Sequence, residues 1–211
     1  MYVPQPFTVP APDDWAAGFI ARHGFASLTV VADGTLHAVP LPCVLEKDAS
    51  GARLLAHVAR ANPIWQAFAG TEVLLQFQGA NAYVSPDWYE TEHMVPTWNY
   101  EAVHVYGTAR LLEAEDDALR VLAALSAHYE ADLVPKAPWT LDKMPPDLLR
   151  RLLRGIVAFE VPVARLEVKR KLSQNRSAAD RAGVIAALRQ RSDEDSRTIA
   201  AKMAELESSG G

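Results

Sequence analysis

Apolar and polar positions alternate along this chain in short runs bounded by turn residues, the period-two pattern of strands with one buried face. Residues 25–32, Phe-Ala-Ser-Leu-Thr-Val-Val-Ala, form the first run, and Asp33-Gly34 after it is a hairpin signal. The return strand, Leu36 to Glu46, carries Pro40 and Pro42, so it must bend or leave one side unpaired. Further strands are predicted over 53–58, 72–78 and 81–85, the last two parted by Gly79, with long runs over 99–112 and 156–168, the latter weakened at Pro162. Residues 1–12 hold four prolines and read as an extended arm.

Between the strands the period lengthens. Asp13 and Asp14 open a short helix reaching about His23. A second short helix has Asn62 as cap, Pro63 at its first position and Gly70 as stop. Residues 114–130 start acidic and repeat Leu119, Leu122, Ala123, Leu125 and Tyr129, and a proline-rich loop over 133–146 leads into a helix at about 146–154. From Ser177 the character changes: one helix carries Val184, Ile185 and Leu188, and a last one carries Ile199, Met203 and Leu206 on a thin apolar stripe, suited to packing on a partner or to fraying. Six or seven strands, with hairpins outnumbering crossovers, predict an α+β fold: a mostly antiparallel β-barrel with peripheral helices. The expected division is a main domain over 1–176 and a helical C-terminal tail over 177–211.

Composition narrows the function classes. The 211 residues are 49% apolar and 22% charged, enough for a large core. The net charge of −5 gives no general attraction to nucleic acid or anionic membrane, so DNA binding would need a local basic patch. A single cysteine, Cys43, excludes an intrachain disulfide, and the N-terminal residues lack a signal-peptide pattern. No apolar run approaches the roughly 20 residues of a membrane span. A cytoplasmic protein is expected.

Candidate chemistry sits in three segments. Pro96 to Gly107 crowds Trp98, Asn99, Tyr100, His104 and Tyr106 into one run. Aromatics and amides together are costly to bury unless they meet a flat, polar partner, such as a flavin. At 55–66 a strand-to-helix joint sets His57 and Arg60 beside Asn62 and Pro63, where free N–H groups and a guanidinium would suit a phosphate; the plainer reading, favoured on these residues alone, is Asn62 as a cap and Arg60 in solvent. Lys169-Arg-Lys-Leu-Ser-Gln-Asn-Arg176 suits a phosphate or a DNA backbone, or else is a solvated basic turn. No metal spacing, P-loop or dinucleotide fingerprint occurs; Glu90, Glu92 and His93 lie together only on a polar loop, and Cys43 is expected simply to pack. Haem would lack a clear axial ligand.

These segments together resemble the PaiB-like family of FMN-binding negative transcriptional regulators. The resemblance runs the length of the chain through Met1-Tyr-Val-Pro4, Ala61-Asn-Pro-Ile-Trp65, Phe77-Gln-Gly79, Ala82-Tyr-Val-Ser85, Trp88-Tyr89, Val95-Pro-Thr-Trp-Asn-Tyr100, Ala102-Val-His-Val-Tyr-Gly107 and Lys171-Leu-Ser-Gln-Asn-Arg176. It implies an FMN-binding split β-barrel, a homodimer with FMN at the subunit interface. It further implies that Arg60 and Asn62 hold the phosphate with His57 nearby. Trp98 and Asn99 then flank the ring, His37 adds to the wall, and Lys171, Ser173, Asn175 and Arg176 close the site. Ala61 stands where the family often has glycine. The resemblance suggests a regulator in which flavin is sensor or structural ligand; the alternative is an FMN-dependent oxidoreductase acting on a small molecule. The basic stretch from Arg165 to Arg181 is the local place for DNA, although the tail helices do not form a helix-turn-helix.

Overall fold

The computed structural model describes residues 1–68 and 70–208. Among them are nine strands: β1 (Phe25–Ala32), β2 (Thr35–Pro42), β3 (Val44–Asp48), β4 (Gly51–Ala59), β5 (Glu72–Val84), β6 (Thr97–Thr108), β7 (Arg110–Leu112), β8 (Ile156–Pro162) and β9 (Arg165–Lys171). The α-helices are α1 (Pro12–Arg22), α2 (Glu115–Glu130), α3 (Pro146–Leu153), α4 (Ala178–Arg189) and α5 (Glu194–Ser208). One sheet has the order β2-β1-β5-β6-β9, the other β3-β4-β8-β7. The pairs β1–β2, β1–β5, β3–β4, β4–β8 and β7–β8 all run antiparallel. The fold is α+β, as the alternation predicts.

Asp33 and Gly34 both take positive φ, 50° and 72°, which is the twist a two-residue hairpin needs. Proline-bearing β2 lies at a sheet edge, where a missing N–H costs least. Three runs that read as single strands are each divided in two. The breaks fall at Cys43, at Ala109 and after Pro162, and at each the chain leaves one sheet for the other. Hydrophobicity continues through such a crossing while the ladder partner changes. Gly79 has the opposite outcome: β5 runs through it unbroken.

The chain divides into two compact units. One comprises residues 16–77 and 104–166 and contains the four-stranded sheet. There α2 packs Val121 and Leu125 onto Leu55 of β4 and Ala158 of β8. Near the end of β6, Gly107 passes so close to β8 that a Cβ would meet the Pro162 carbonyl oxygen at 2.0 Å.

The other unit comprises residues 1–15, 78–103 and 167–211. Its core joins Val84 of β5 and Leu172 to Val184 and Leu188 of α4 and to Ile199, Ala200 and Met203 of α5. Ser177 caps α4 as predicted, its hydroxyl accepting from the Asp180 amide at 3.1 Å. The helices after 177 share this unit's core with β5 and Leu172. The stripe of the last helix reads as thin because Ala200 joins the core through small size, and on α4 a Cβ on Gly183 would lie 2.2 Å from the Trp88 carbonyl oxygen. Of the expected tail, 209–211 lie outside the described residues. Fully buried Glu101 accepts from Arg170 Nε at 2.6 Å and also from Lys202, tying β6, β9 and α5 together.

Candidate functional site

In the unit holding the tail helices, the alternation of β6 divides its side chains by face. Asn99 and Glu101 point inward and are buried, while Trp98 is 52% exposed. The Trp98 ring meets exposed Tyr83 of β5 edge-on, at 5.9 Å between centroids. A second alternation, on β9, sends Arg170 inward to Glu101 and Lys169 toward Tyr100, with Lys169 Nζ 5.4 Å from the ring centre. Lys169 also donates to the Tyr2 carbonyl at 3.1 Å. Lys171 donates to the Thr97 hydroxyl. Arg176 lies 5.3 Å over the Tyr89 ring and approaches the Met94 sulfur at 3.8 Å.

Lys169, Lys171 and Arg176 thus meet a carbonyl, a hydroxyl, a sulfur and two aromatic rings, all of them neutral. Burial holds the Lys171 pKa below the usual lysine range, and the charges of Lys169 and Arg176 lower it further. A group in that position favours a neighbouring anion. The Tyr89 hydroxyl is buried and has no hydrogen-bond partner, a further polar atom unspent beside the Arg176 stack. The donors fit a phosphate, and the exposed Trp98 indole, next in sequence to Thr97, offers a flat apolar surface.

The turn presenting these cations has one strained residue. Ser173 is buried at φ 64°, a left-handed conformation that costs a side-chain-bearing residue roughly 1–2 kcal/mol. Its carbonyl accepts from the Arg176 amide at 2.9 Å, closing the turn. The Asn99 Nδ2 donates to the Ser173 hydroxyl at 2.9 Å and contacts the Met203 sulfur at 3.3 Å. Asn99 has no exposed surface, so its amide is spent inside the fold and does not reach a ring edge at the surface of this chain. Asn175 is exposed on the same turn.

His37, His57, Arg60 and Asn62 belong to the other unit. The segment after Asn62 is a six-residue 3₁₀ helix, Pro63–Phe68, too short to concentrate a useful dipole at its start. Asn62 accepts from the Ile64 amide at 3.1 Å, the capping role. Arg60 is exposed, but its fork is engaged: Nε donates to the Arg154 carbonyl and Nη2 to the Ile156 carbonyl, each at 2.9 Å. Within the chain these side chains brace backbone: Asn62 the start of the 3₁₀ helix, Arg60 the end of α3 and the start of β8. His57 is half-buried on β4, its Nδ1 lacks a partner, and burial lowers its pKa, favouring the neutral ring. His37 lines a cleft of about 250 Å³ with Asp33, Pro63, Ile64 and Gln66.

Other candidates resolve simply. Cys43 is buried, and desolvation pushes its thiol pKa far up, so it packs as an inert side chain. Glu92 and His93 are solvent-exposed, and among the described residues no three ligand-type side chains gather to hold a metal. Thr91, just before them, instead docks on buried Asp180, amide to Oδ1 at 2.9 Å and hydroxyl to Oδ2 at 2.8 Å. Sequence reasoning missed Thr97 and Tyr89, since no local signal announces that a lysine and an arginine far along the chain will come to them.

Among the described residues no helix is long and apolar enough to cross a membrane. The chain is 36% identical over 205 residues to the protease synthase and sporulation protein PAI 2 of Bacillus subtilis, covering 96% of each protein. Two solved structures share the fold at low identity. One is the FAD and heme binding protein from Mycobacterium smegmatis, with TM-score 0.61, 16% identity, and 87% of this chain and 80% of that one covered. The other is the flavocytochrome Anf3 from Azotobacter vinelandii, with TM-score 0.56, 13% identity, and 80% and 74% covered. A family model described as "Putative FMN-binding domain" matches residues 1–165. The chain therefore belongs to this FMN-binding family and is a PaiB-like protein.

Proposed function

We propose that FMN binds on the aromatic and cationic face of the unit that holds the tail helices. In this reading Lys171 and Arg176, with Lys169 beside them, hold the phosphate, Trp98 covers the ring, and Ser173 and Asn175 shape the closing turn. The observation that carries it is Lys171, a partly buried cation flanked by two others and bonded to a neutral hydroxyl. A bound flavin would supply hydride or electron transfer, and the chain's own part is to position it and limit water around it.

The same face supports a homodimer. Tyr83, Trp98 and Val95 are exposed at 45%, 52% and 64%, which leaves a ring on Trp98 open on one side unless a second copy covers it. We place FMN at that interface as the sensor or structural ligand of a regulator. An FMN-dependent oxidoreductase acting on a small molecule would use the same site.

The test is FMN titration followed by desalting, with absorbance and flavin fluorescence as readouts. The wild-type protein should retain FMN, and Lys171→Met should weaken binding by about 1.5–3 kcal/mol, the worth of a hydrogen bond to a charged group. Equal affinity in the two proteins removes Lys171 from the site. NADH oxidation by the FMN-loaded protein would support the enzyme reading instead.

A further inference from the structure

We infer that Asn99 is a positioning residue, which acts by holding Ser173 in its left-handed conformation and so fixes the turn that presents Lys171 and Arg176. The inference rests on the FMN reading for its purpose but not for its geometry. Asn99 is fully buried, so it cannot act by touching a surface ligand. What it touches is the Ser173 hydroxyl, through Nδ2 at 2.9 Å and Oδ1 at 3.2 Å. A serine at φ 64° is unfavourable unless its surroundings over-determine it. The Asn99 amide supplies one constraint. Gln174 supplies another, its side-chain carbonyl accepting from the Leu172 amide at 2.7 Å. Once Ser173 is set, its carbonyl is aimed at the Arg176 amide, and Arg176 is brought back beside Lys171. Asn99 is itself in contact with the Met203 sulfur of α5, so the last helix supports the turn through this amide as well as through its packing on Leu172.

Glycine adopts positive φ freely, so it can take over the task that Asn99 performs for serine. Four proteins decide the matter: wild type, Asn99→Ala, Ser173→Gly and the double variant. FMN affinity should fall about tenfold or more in Asn99→Ala, and Ser173→Gly in that background should restore it to within about threefold of wild type. A second readout needs no FMN. The Lys171 side-chain titration, followed by NMR with labelled lysine, should move up in Asn99→Ala as Arg176 departs and return down in the double variant. A double variant as weak as Asn99→Ala, with Lys171 titrating alike in all four, overturns the inference. If wild type retains no FMN, the binding reading fails separately, and the Lys171 titration still decides this one. If Asn99→Ala does not fold, Ser173→Ala replaces it: positioning requires Ser173→Gly to keep the wild-type Lys171 titration and Ser173→Ala to lose it, and identical behaviour of the two refutes it.

Discussion

Burial and the nearby charges of Lys169 and Arg176 all oppose protonation of Lys171. Its folded pKa therefore lies below its unfolded value, and between the two the unfolded chain binds more protons. Stability of the unliganded protein rises with pH across that alkaline window, while below the folded pKa the penalty is fully present. Phosphate affinity must move the other way. FMN binding should weaken as pH climbs through the lowered Lys171 pKa, and Lys171→Met should abolish that dependence; fluorescence titrations between neutral and alkaline pH check both. Arg60 yields a contrasting prediction. It was readable in the sequence as a phosphate ligand, yet its fork is spent on the carbonyls of Arg154 and Ile156. Arg60→Ala should cost about 1–2 kcal/mol in urea unfolding, from two hydrogen bonds at an exposed position, and leave FMN affinity within about twofold. A large loss of affinity with unchanged stability would return Arg60 to the site.

At the scale of elements, α4 and α5 are structural rather than accessory. Met203 is 1% exposed between Asn99 and the α4 contact surface. Met203→Ala should destabilise the protein by about 2–5 kcal/mol and weaken FMN along with it. Gly183→Ala must push α4 off the Trp88 backbone, where the distance to a Cβ is 2.2 Å. Overpacking of this kind costs about 1–3 kcal/mol, measurable as a lowered urea midpoint. Hydrogen bonds from Thr91 and Ser177 lower the Asp180 pKa, so the docking of Thr91 adds stability above the ordinary aspartate range and loses it as pH falls through the folded value. The strands were legible as hydrophobic runs, but the breaks at Cys43 and Ala109 were not. Alternation reports which face is buried, and a chain that passes from one sheet to another keeps a buried face throughout.

For the whole molecule, charge decides what the basic stretch can do. Of the cations between Arg165 and Arg181, Arg170 is paired with Glu101, Arg181 with Glu207, and Arg165 lies 3.4 Å over the Tyr106 ring. Lys169, Lys171 and Arg176 face neutral groups and are gathered at one turn, enough for one phosphate and short of a track along a duplex. If the protein retards DNA in a gel, the slope of log affinity against log salt should be no steeper than about −3 per protomer, the value for three neutralised phosphates. A steeper slope would mean that a basic surface other than this turn contacts DNA. Glu101 belongs to the same ledger of charge. Glu101→Ala strands Arg170 and Lys202 beside a buried site and should cost about 3–5 kcal/mol, while sedimentation with and without FMN tests the dimer.

By itself the sequence determined the α+β class, the Asp33-Gly34 hairpin, the Ser177 cap and the segments in which the chemistry lies. Each of these is set by local rules: side-chain period, backbone preference at φ above zero, and short-range hydrogen bonding. Only the tertiary structure decided how the candidates are used. Trp98 and Asn99 are adjacent and both suit a flavin, yet one residue of strand register leaves the indole in solvent and puts the amide in the core. Arg60 and Arg176 each promise a phosphate, yet one meets backbone carbonyls and the other an aromatic ring. Those outcomes depend on what the rest of the chain brings to the other end of each side chain, and the sequence around a residue does not contain its distant partner.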